Sequence, residues 1–330
     1  MNQTNVKVAF VIVGWNNKQL LKDCFDSISQ QTYKNVEIIY VDNNSNDNSI
    51  DWVQQHYPEV TIIAQKSNTG FAKGNNDGIV EALKDSDVKY IGLLNSDARL
   101  HSEWTEQIVK FAMLKPKGAC FQGTTLDYYK QTIIDSTHIF IAQNGQGTQG
   151  GWRHLFINEI GPKKVFGVNA AACLISRDFI ESQPFGNEVL DETMFMYLED
   201  VDLAARATIM GWDNYLVRGA RAYHMGSASS KNRSFTFSLY MTFRNNTGML
   251  FKNFPMRFLM RMLPRLVRGD FDTIRTLWRT NRRGHILAVL RGRVVGMLRL
   301  PHFINNRFKL ARARKISDKE YLWLLMRRGN

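Results

Sequence analysis

Cysteine is scarce in this sequence, and the scarcity excludes whole classes of protein. Three cysteines, Cys24, Cys120 and Cys173, stand far apart in 330 residues with no Cys-x-x-Cys pair. That argues against a disulfide framework or a zinc-knuckle site and fits a reducing compartment. Long apolar runs are missing too: no stretch of about 18 apolar residues is present to form a membrane-spanning helix. The first apolar run, residues 8–13, is followed by no small-residue cleavage site, so it reads as a first β-strand and not a signal peptide. Low-complexity tracts are absent, and 44% hydrophobic with 22% charged residues is a globular composition. The length fits one large domain or two modest ones, with ample chain to bury a core.

Acidic residues are nearly missing from the last hundred positions. There 23 Lys and Arg face 4 Asp and Glu, whereas residues 1–230 hold 20 against 26. A mildly acidic body carries a strongly basic tail, and the two need separate explanations.

The body alternates. Residues 8–13, 36–41, 60–64 and 90–94 read as strands, with helices over 19–31, 48–56 and 73–83 between them. That order predicts an α/β fold with a mainly parallel sheet covered by helices on both faces. Ligands of such sheets sit beyond the carboxyl ends of the strands, where polar clusters follow the second, third and fourth strands. Residues 127–165, with Gly145, Gly147, Gly150 and Gly151, read as a long mobile loop, a connector or a lid. Residues 165–175 read as one more buried strand. Residues 194–210 read as a helix that Gly211 ends, and 214–217 as a strand with a turn before His224.

Five places could carry chemistry. Asp42 opens an Asn/Asp-rich turn; it suits turn geometry, and its carboxylate could also accept an N–H from a nucleobase. Asp97 in Asn95-Ser96-Asp97 follows a strand tip, where it could cap a helix starting near Ser102 or hold a hard divalent ion against phosphates. Glu199, Asp200 and Asp202 crowd a helix start, favourable to the dipole but also able to raise one pKa toward that of a base. His224 is a structural histidine or a neutral metal ligand. Residues 68–76 have a loop-to-helix form whose N–H groups could meet phosphate.

Taken in order, these segments resemble a glycosyltransferase family 2 enzyme of the GT-A fold. Val11-Ile12-Val13-Gly14-Trp15-Asn16-Asn17 resembles its opening strand and Tyr-Asn pair, with Gly14 and Trp15 in place of the commoner Asn and Tyr. Gln30-Gln31-Thr32-Tyr33, Val41-Asp42-Asn43-Asn44-Ser45-Asn46-Asp47 and Asn68-Thr69-Gly70-Phe71-Ala72 with Gly74-Asn75-Asn76 are similar to its next segments. Leu94-Asn95-Ser96-Asp97 resembles its Asn-Pro-Asp metal motif, with Ser96 replacing Pro. The Glu199-Asp200-Val201-Asp202 stretch with Arg206 and Gly211-Trp212, then His224-Met225-Gly226-Ser227, resemble its Glu-Asp and His-x-Gly-Ser motifs. The match runs from about residue 6 to about 253, including Arg244-Asn245 and Lys252-Asn253.

The resemblance implies an inverting, metal-dependent transferase acting on a dTDP- or UDP-sugar. Asp42 would bond the base. Trp15, Asn16, Asn17, Asn43, Asn68, Gly70, Phe71, Asn75, Asn95 and Ser96 would shape the nucleotide-sugar pocket. Asp97 and His224 would hold Mn2+ or Mg2+, and Asp200, with Glu199 as rival, would be the base. The segment around Ile134-Asp135 and the form of Leu94–Asp97 resemble a bacterial rhamnosyltransferase-like group. That implies L-rhamnose moved from dTDP-rhamnose to a cell-surface polysaccharide or polyprenyl-linked glycan precursor. A UDP-hexose or UDP-N-acetylhexosamine transferase, or a catalytically inactive membrane-bound scaffold, are the alternatives.

The expected division is a transferase domain over 1–235 and a basic amphipathic helical region over 236–330. Arg257, Arg261, Arg265 and Arg268 recur at helical spacing among apolar residues, and residues 285–300 repeat the mixture. Pro255 and Pro264 should break or kink the first run. Such helices suit an anionic leaflet, placing the protein on the cytoplasmic face of the cell membrane. No recognition helix, zinc finger or RNA module accompanies the basic charge, so nucleic acid is not an expected partner.

Overall fold

The computed structural model describes residues 6–157, 161–226 and 235–328. Its first half follows the expected alternation: β1 (Lys7–Gly14), α1 (Lys18–Ser29), β2 (Val36–Asp42), α2 (Ser49–His56), β3 (Thr61–Ala64), α3 (Gly70–Ala82) and β4 (Val88–Leu94). Then come β5 (Ala98–Leu100), α4 (Trp104–Ala112), β6 (Gly118–Asp127), β7 (Ile134–Ser136), β8 (His138–Ile141), β9 (Gly147–Gly150), β10 (Lys163–Val165), β11 (Ala172–Ser176) and α5 (Arg177–Glu181). After α6 (Glu199–Ile209) and β12 (Asp213–His224), five helices finish the chain: α7 (Phe235–Asn253), α8 (Met256–Arg279), α9 (Ile286–Leu298), α10 (Leu300–Ala313) and α11 (Asp318–Arg328).

The main sheet runs β10-β12-β6-β11-β4-β1-β2-β3, with β5 beside β12 and β7 beside β6. Strands β3, β2, β1 and β4 are parallel, and β11 is antiparallel to both β4 and β6. The sheet is therefore mixed, with a parallel run β3-β2-β1-β4 on one side, a parallel β6–β12 pair on the other and antiparallel β11 between them. Phe10, Ile12, Tyr40 and Phe25 pack below one face, Val11, Val41 and Ile79 on the other, which is why β1 reads as a continuous apolar run.

Four expectations for residues 1–230 change. Residues 127–165 are not one mobile loop: β7 joins the sheet and β8 and β9 form a hairpin pairing His138 with Gly150. The glycines there serve close approach, since a Cβ on Gly150 would strike the His138 ring. The 165–175 run is two strands, because Val165 pairs with β12 while Ala172 pairs with β4, and the chain crosses between them. An apolar run reports burial, not continuous pairing. The expected helix over 194–210 begins only at Glu199, with a short 3-10 turn, Glu192–Met194, before it. His224 ends a strand instead of following a turn.

The basic tail is helical, and α8 continues through Pro264, against expectation. Pro264 lies on the exposed side of α8, where water can satisfy the carbonyl it orphans. Met249, Leu250, Phe254, Phe303, Leu310 and Tyr321 from these helices share one core with the sheet residues Val11, Ile91 and Cys173. Among the described residues no helix is long and apolar enough to cross a membrane.

Candidate active site

The parallel register brings the carboxyl ends of β1, β2 and β4 to one edge, with Gly14 opposite Asp42. Asp42 is buried; Tyr40 O–H donates to one oxygen at 3.0 Å and the Ser45 N–H to the other at 2.9 Å. The Asn43 amide donates to the Gly70 carbonyl at 2.9 Å and accepts from the Thr69 hydroxyl at 2.9 Å, tying the turn after β2 to the loop before α3. Asn17 donates to the Ser96 hydroxyl. A hollow of about 90 Å3 results, lined by Trp15, Asn17, Asn43, Gly70, Phe71, Asn95 and Ser96.

Four expected nucleotide-pocket residues stand behind its walls. Asn16 accepts from the Asn46 N–H at 2.7 Å, and Asn68 from the Gly70 N–H at 3.0 Å. Asn75 donates to the Phe71 carbonyl at 2.8 Å inside α3, and Asp42 is engaged as described. Their visible work is to hold loops.

Phe71 and Asn95 also line a larger cavity of about 490 Å3, which gathers Asp97, His224, Glu199 and Asp200 with Trp152, Asn169 and Tyr197. His224 pairs across from Ala98 in the β12–β5 ladder, which sets its ring beside Asp97. Its Nε2 lies 3.4 Å from Asp97 Oδ1 and 3.3 Å from the Asn95 amide, and its Nδ1 lies 2.9 Å from Asp135 Oδ2. Burial pushes the imidazole pKa down, but the Asp135 and Asp97 carboxylates outweigh it and hold the pKa up at about 10. Ser227, the end of the His-x-Gly-Ser segment, lies outside the described residues. No group of three or more His, Cys, Asp and Glu side chains forms a metal cage among the described residues.

Glu199 and Asp200 enter the cavity from an unusual backbone. Phe195, Tyr197 and Leu198 have φ of 62°, 72° and 70°, a left-handed conformation that costs about 1–3 kcal/mol per residue. Neighbours hold it in place. The Asn245 amide of α7 donates to the carbonyls of Met194, Met196 and Tyr197 at 2.8, 3.0 and 2.8 Å. From the other side the Phe71 and Ala72 N–H groups donate to the Phe195 carbonyl at 2.7 and 3.0 Å. Gly70, with φ 87°, lies so close that a Cβ would overlap the Phe195 ring. The loop before α3 and the acidic loop are thus one packed unit.

The two acids differ. Glu199 is buried, with Oε2 lacking a hydrogen-bond partner among the described residues; burial, then the Asp200 charge, pushes its carboxyl up to about 8. Asp200 is half-buried and accepts N–H bonds from Val201 and Ala170, so burial raises it only to about 6. The third acid, Asp202, is fully buried and bonds Arg206 at 2.8 Å and Lys252 at 2.9 Å, a link between α6 and α7 far from chemistry.

Sequence reasoning assigned no role to Asp135 or Asn245. Asp135 sits within a stretch read as loop, and only the β6–β7 pairing shows it reaching His224. Asn245 lies in a helix whose period suggests packing alone.

Comparison with known proteins agrees with this arrangement. The poly(ribitol-phosphate) beta-glucosyltransferase of Bacillus spizizenii is 29% identical over 153 residues, 41% of this chain and 24% of that protein. An Escherichia coli UDP-Glc:alpha-D-GlcNAc-diphosphoundecaprenol beta-1,3-glucosyltransferase is 34% identical over 90 residues, 27% of this chain and 35% of that one. The chain therefore spans about a third or less of the length of these curated relatives. The crystal structure of GalNAc-T7 with UDP, GalNAc and Mn2+ superposes with a TM-score of 0.58 at 14% identity, covering 76% of this chain and 48% of that one, which shows the GT-A fold. Residues 9–181 match the family described as glycosyl transferase family 2. With its mixed sheet and its cavity beyond the strand ends, the chain belongs to glycosyltransferase family 2.

Proposed function

We propose that this glycosyltransferase moves a sugar from a dTDP- or UDP-sugar to a glycan hydroxyl with inversion at the anomeric carbon. The observation that carries the reading is the single cavity into which Asp97, His224 and Asp200 all open. Asp200 is the base: raised only to about 6 and half-buried, it is ionised at neutral pH, whereas Glu199, raised to about 8, stays protonated there. It takes the acceptor hydroxyl proton as that oxygen attacks, and the nucleoside diphosphate leaves from the opposite face. The hollow at Trp15, Asn17, Asn43 and Ser96 receives the nucleotide, and buried Asp42 holds the turn behind it.

Asp97 and His224 fit a hard divalent ion, Mn2+ or Mg2+, provided that the ion displaces the proton which the two carboxylates hold on the imidazole. An oxygen and a nitrogen donor stand 3.4 Å apart at the cavity wall, and Asp135 fixes the imidazole from behind. Held by Asp97 and His224, such an ion would supply positive charge against that developing on the departing diphosphate.

The acceptor reading is a cell-surface polysaccharide or a polyprenyl-diphosphate-linked precursor, supported by the names of the two glucosyltransferases. For the donor, the resemblance at Ile134-Asp135 favours L-rhamnose from dTDP-rhamnose. Those same names support UDP-glucose as a second reading.

The helical region from residue 236 onward serves as a peripheral dock on the inner face of the cell membrane. On α8, Met256, Met260, Leu263, Val267, Phe271 and Trp278 are exposed at helical spacing, flanked by exposed Arg257, Arg261, Arg265 and Arg268. Apolar stripe and basic flank together match an anionic leaflet.

The deciding experiment is a thermal-shift panel of UDP, dTDP, GDP and CMP, each with and without Mn2+. A ligand at about 100 times its dissociation constant adds about 2.7 kcal/mol of stability. A metal-dependent shift with dTDP or UDP is expected. No shift with any nucleotide, in folded protein, overturns the assigned site.

A further inference from the structure

A second cavity, of about 510 Å3, lies behind the acidic loop and is lined by Glu192, Thr193, Phe195, Phe237, Tyr240, Met241, Arg244, Arg299 and His302. Its cationic side is unusual. Arg244 is only 7% exposed, and its guanidinium bonds the carbonyls of Thr193 at 3.1 Å and Met194 at 2.7 Å. Arg299 bonds the same Thr193 carbonyl at 2.7 Å. Two guanidiniums thus converge on one neutral oxygen, and among the described residues their hydrogen bonds reach no carboxylate. Burial and the neighbouring Arg299 charge lower the Arg244 pKa, and a hydrogen bond with the Tyr240 side chain opposes them.

The acids nearby are already engaged. Glu192 accepts from the Asn76 amide at 3.1 Å and lies 3.9 Å from Lys73, and Asp191 is paired with Lys252 at 2.9 Å. The opposite wall is apolar and aromatic: Phe195, Phe237, Tyr240 and Met241. Arg299 and His302 stand at the start of α10, whose dipole adds positive potential. Met297 and Leu298, the two residues before Arg299, are exposed. Basic and apolar groups therefore meet at a mouth beside an exposed apolar surface.

We propose that this cavity binds a phosphoryl group carried on an apolar chain, with Arg244 and Arg299 clasping the phosphoryl oxygens and the Phe237 side taking the chain. Guanidiniums bond phosphate oxygens in paired, charge-assisted fashion, which adds an anionic acceptor to the neutral carbonyls that the pair now bonds. The proposal rests on the lipid-linked acceptor reading above and gives it a site, and it does not depend on which nucleotide the other cavity takes.

The test is calorimetric titration of the full chain with farnesyl diphosphate in EDTA, without nucleotide, so the metal-dependent donor site is silent. Saturable one-site binding is expected, weakened about tenfold or more in Arg299→Gln, as loss of a charged hydrogen bond dictates. Phe237→Glu, at a half-buried position, gives the same loss by repulsion and covers the case in which Arg299→Gln fails to fold. Parallel titrations with inorganic pyrophosphate and with phosphatidylglycerol vesicles identify the source. Pyrophosphate binding as tight as farnesyl diphosphate and sensitive to Arg299→Gln supports the phosphoryl clasp but overturns the lipid chain. Vesicle binding sensitive to Arg299→Gln supports a headgroup. Absence of binding by any probe, or binding unchanged in both variants, overturns the proposal even if nucleotide binding stands.

Discussion

Asp135 Oδ2 lies 2.9 Å from His224 Nδ1, reaching across from β7, a strand 89 residues earlier in the chain. The contact decides which nitrogen of His224 is presented to the cavity. With Nδ1 held by a carboxylate, Nε2 faces Asp97, as metal-binding histidines are generally oriented. Asp135→Asn is expected to lower Mn2+ affinity by about 10–100-fold. Electron paramagnetic resonance of free Mn2+ in a titration reads that directly, with no need for turnover. Unchanged affinity in a folded variant removes Asp135 from the site.

That pairing also marks where the sequence stops being legible. Strand order, helices and the acidic and histidine motifs follow from local pattern, because apolar period and cap chemistry act over a few residues. Ala98 opposite His224, and Asp135 behind it, depend on a register joining segments far apart, which no local period encodes. The same holds for the left-handed Tyr197 and Leu198. Both would be costly alone and persist because Asn245, on another helix, satisfies their neighbours' carbonyls. Asn68 and Asn75 fail as pocket linings for the converse reason: side chains that look free in sequence are consumed by adjacent backbone.

Removing the Asp200 carboxylate separates chemistry from binding. Asp200→Asn is expected to cut kcat by about 10²–10⁴-fold while leaving nucleotide affinity in place. In the wild type, kcat/KM should rise with pH through about 6, the value to which burial lifts this carboxyl, since only the ionised form accepts a proton. A rise centred instead near 8 would transfer the role to Glu199.

Glu199 carries a stability consequence of its own. Its carboxyl is raised from 4.5 to about 8 in the folded chain, so the folded state holds a proton that the unfolded state has lost between those values. Stability therefore falls as pH rises from about 4.5 to about 8 and levels off above. Glu199→Gln removes the titration. The variant should melt higher than wild type at pH 8.5 and nearly equally at pH 4.5, each kcal/mol being worth about 2–4 °C in a chain of this size. Parallel melting curves across that range count against a buried, neutral Glu199.

Asn245 is the support of the acidic loop. Asn245→Ala removes the donor to the Met196 and Tyr197 carbonyls, while Arg244 still bonds Met194, and each buried loss costs about 1–3 kcal/mol before relaxation. Chemical denaturation should show a loss of about 2 kcal/mol or more. The transfer rate should fall further than folding alone explains, because Asp200 follows directly on the released segment. Full activity in a destabilised variant would show that the left-handed backbone is structural only.

The α8 stripe makes the membrane reading testable without touching the cavity. Leu263 and Phe271 are 50% and 63% exposed, so charging them costs the fold little, yet they would drive deepest into a leaflet. Leu263→Glu with Phe271→Glu should abolish sedimentation with phosphatidylglycerol vesicles while transfer to a soluble acceptor continues. Wild-type binding should weaken as salt rises, since Arg257, Arg261, Arg265 and Arg268 contribute about 1 kcal/mol each near an anionic surface and salt screens them. Binding that ignores both the glutamates and the salt would mean that α8 faces a protein or water.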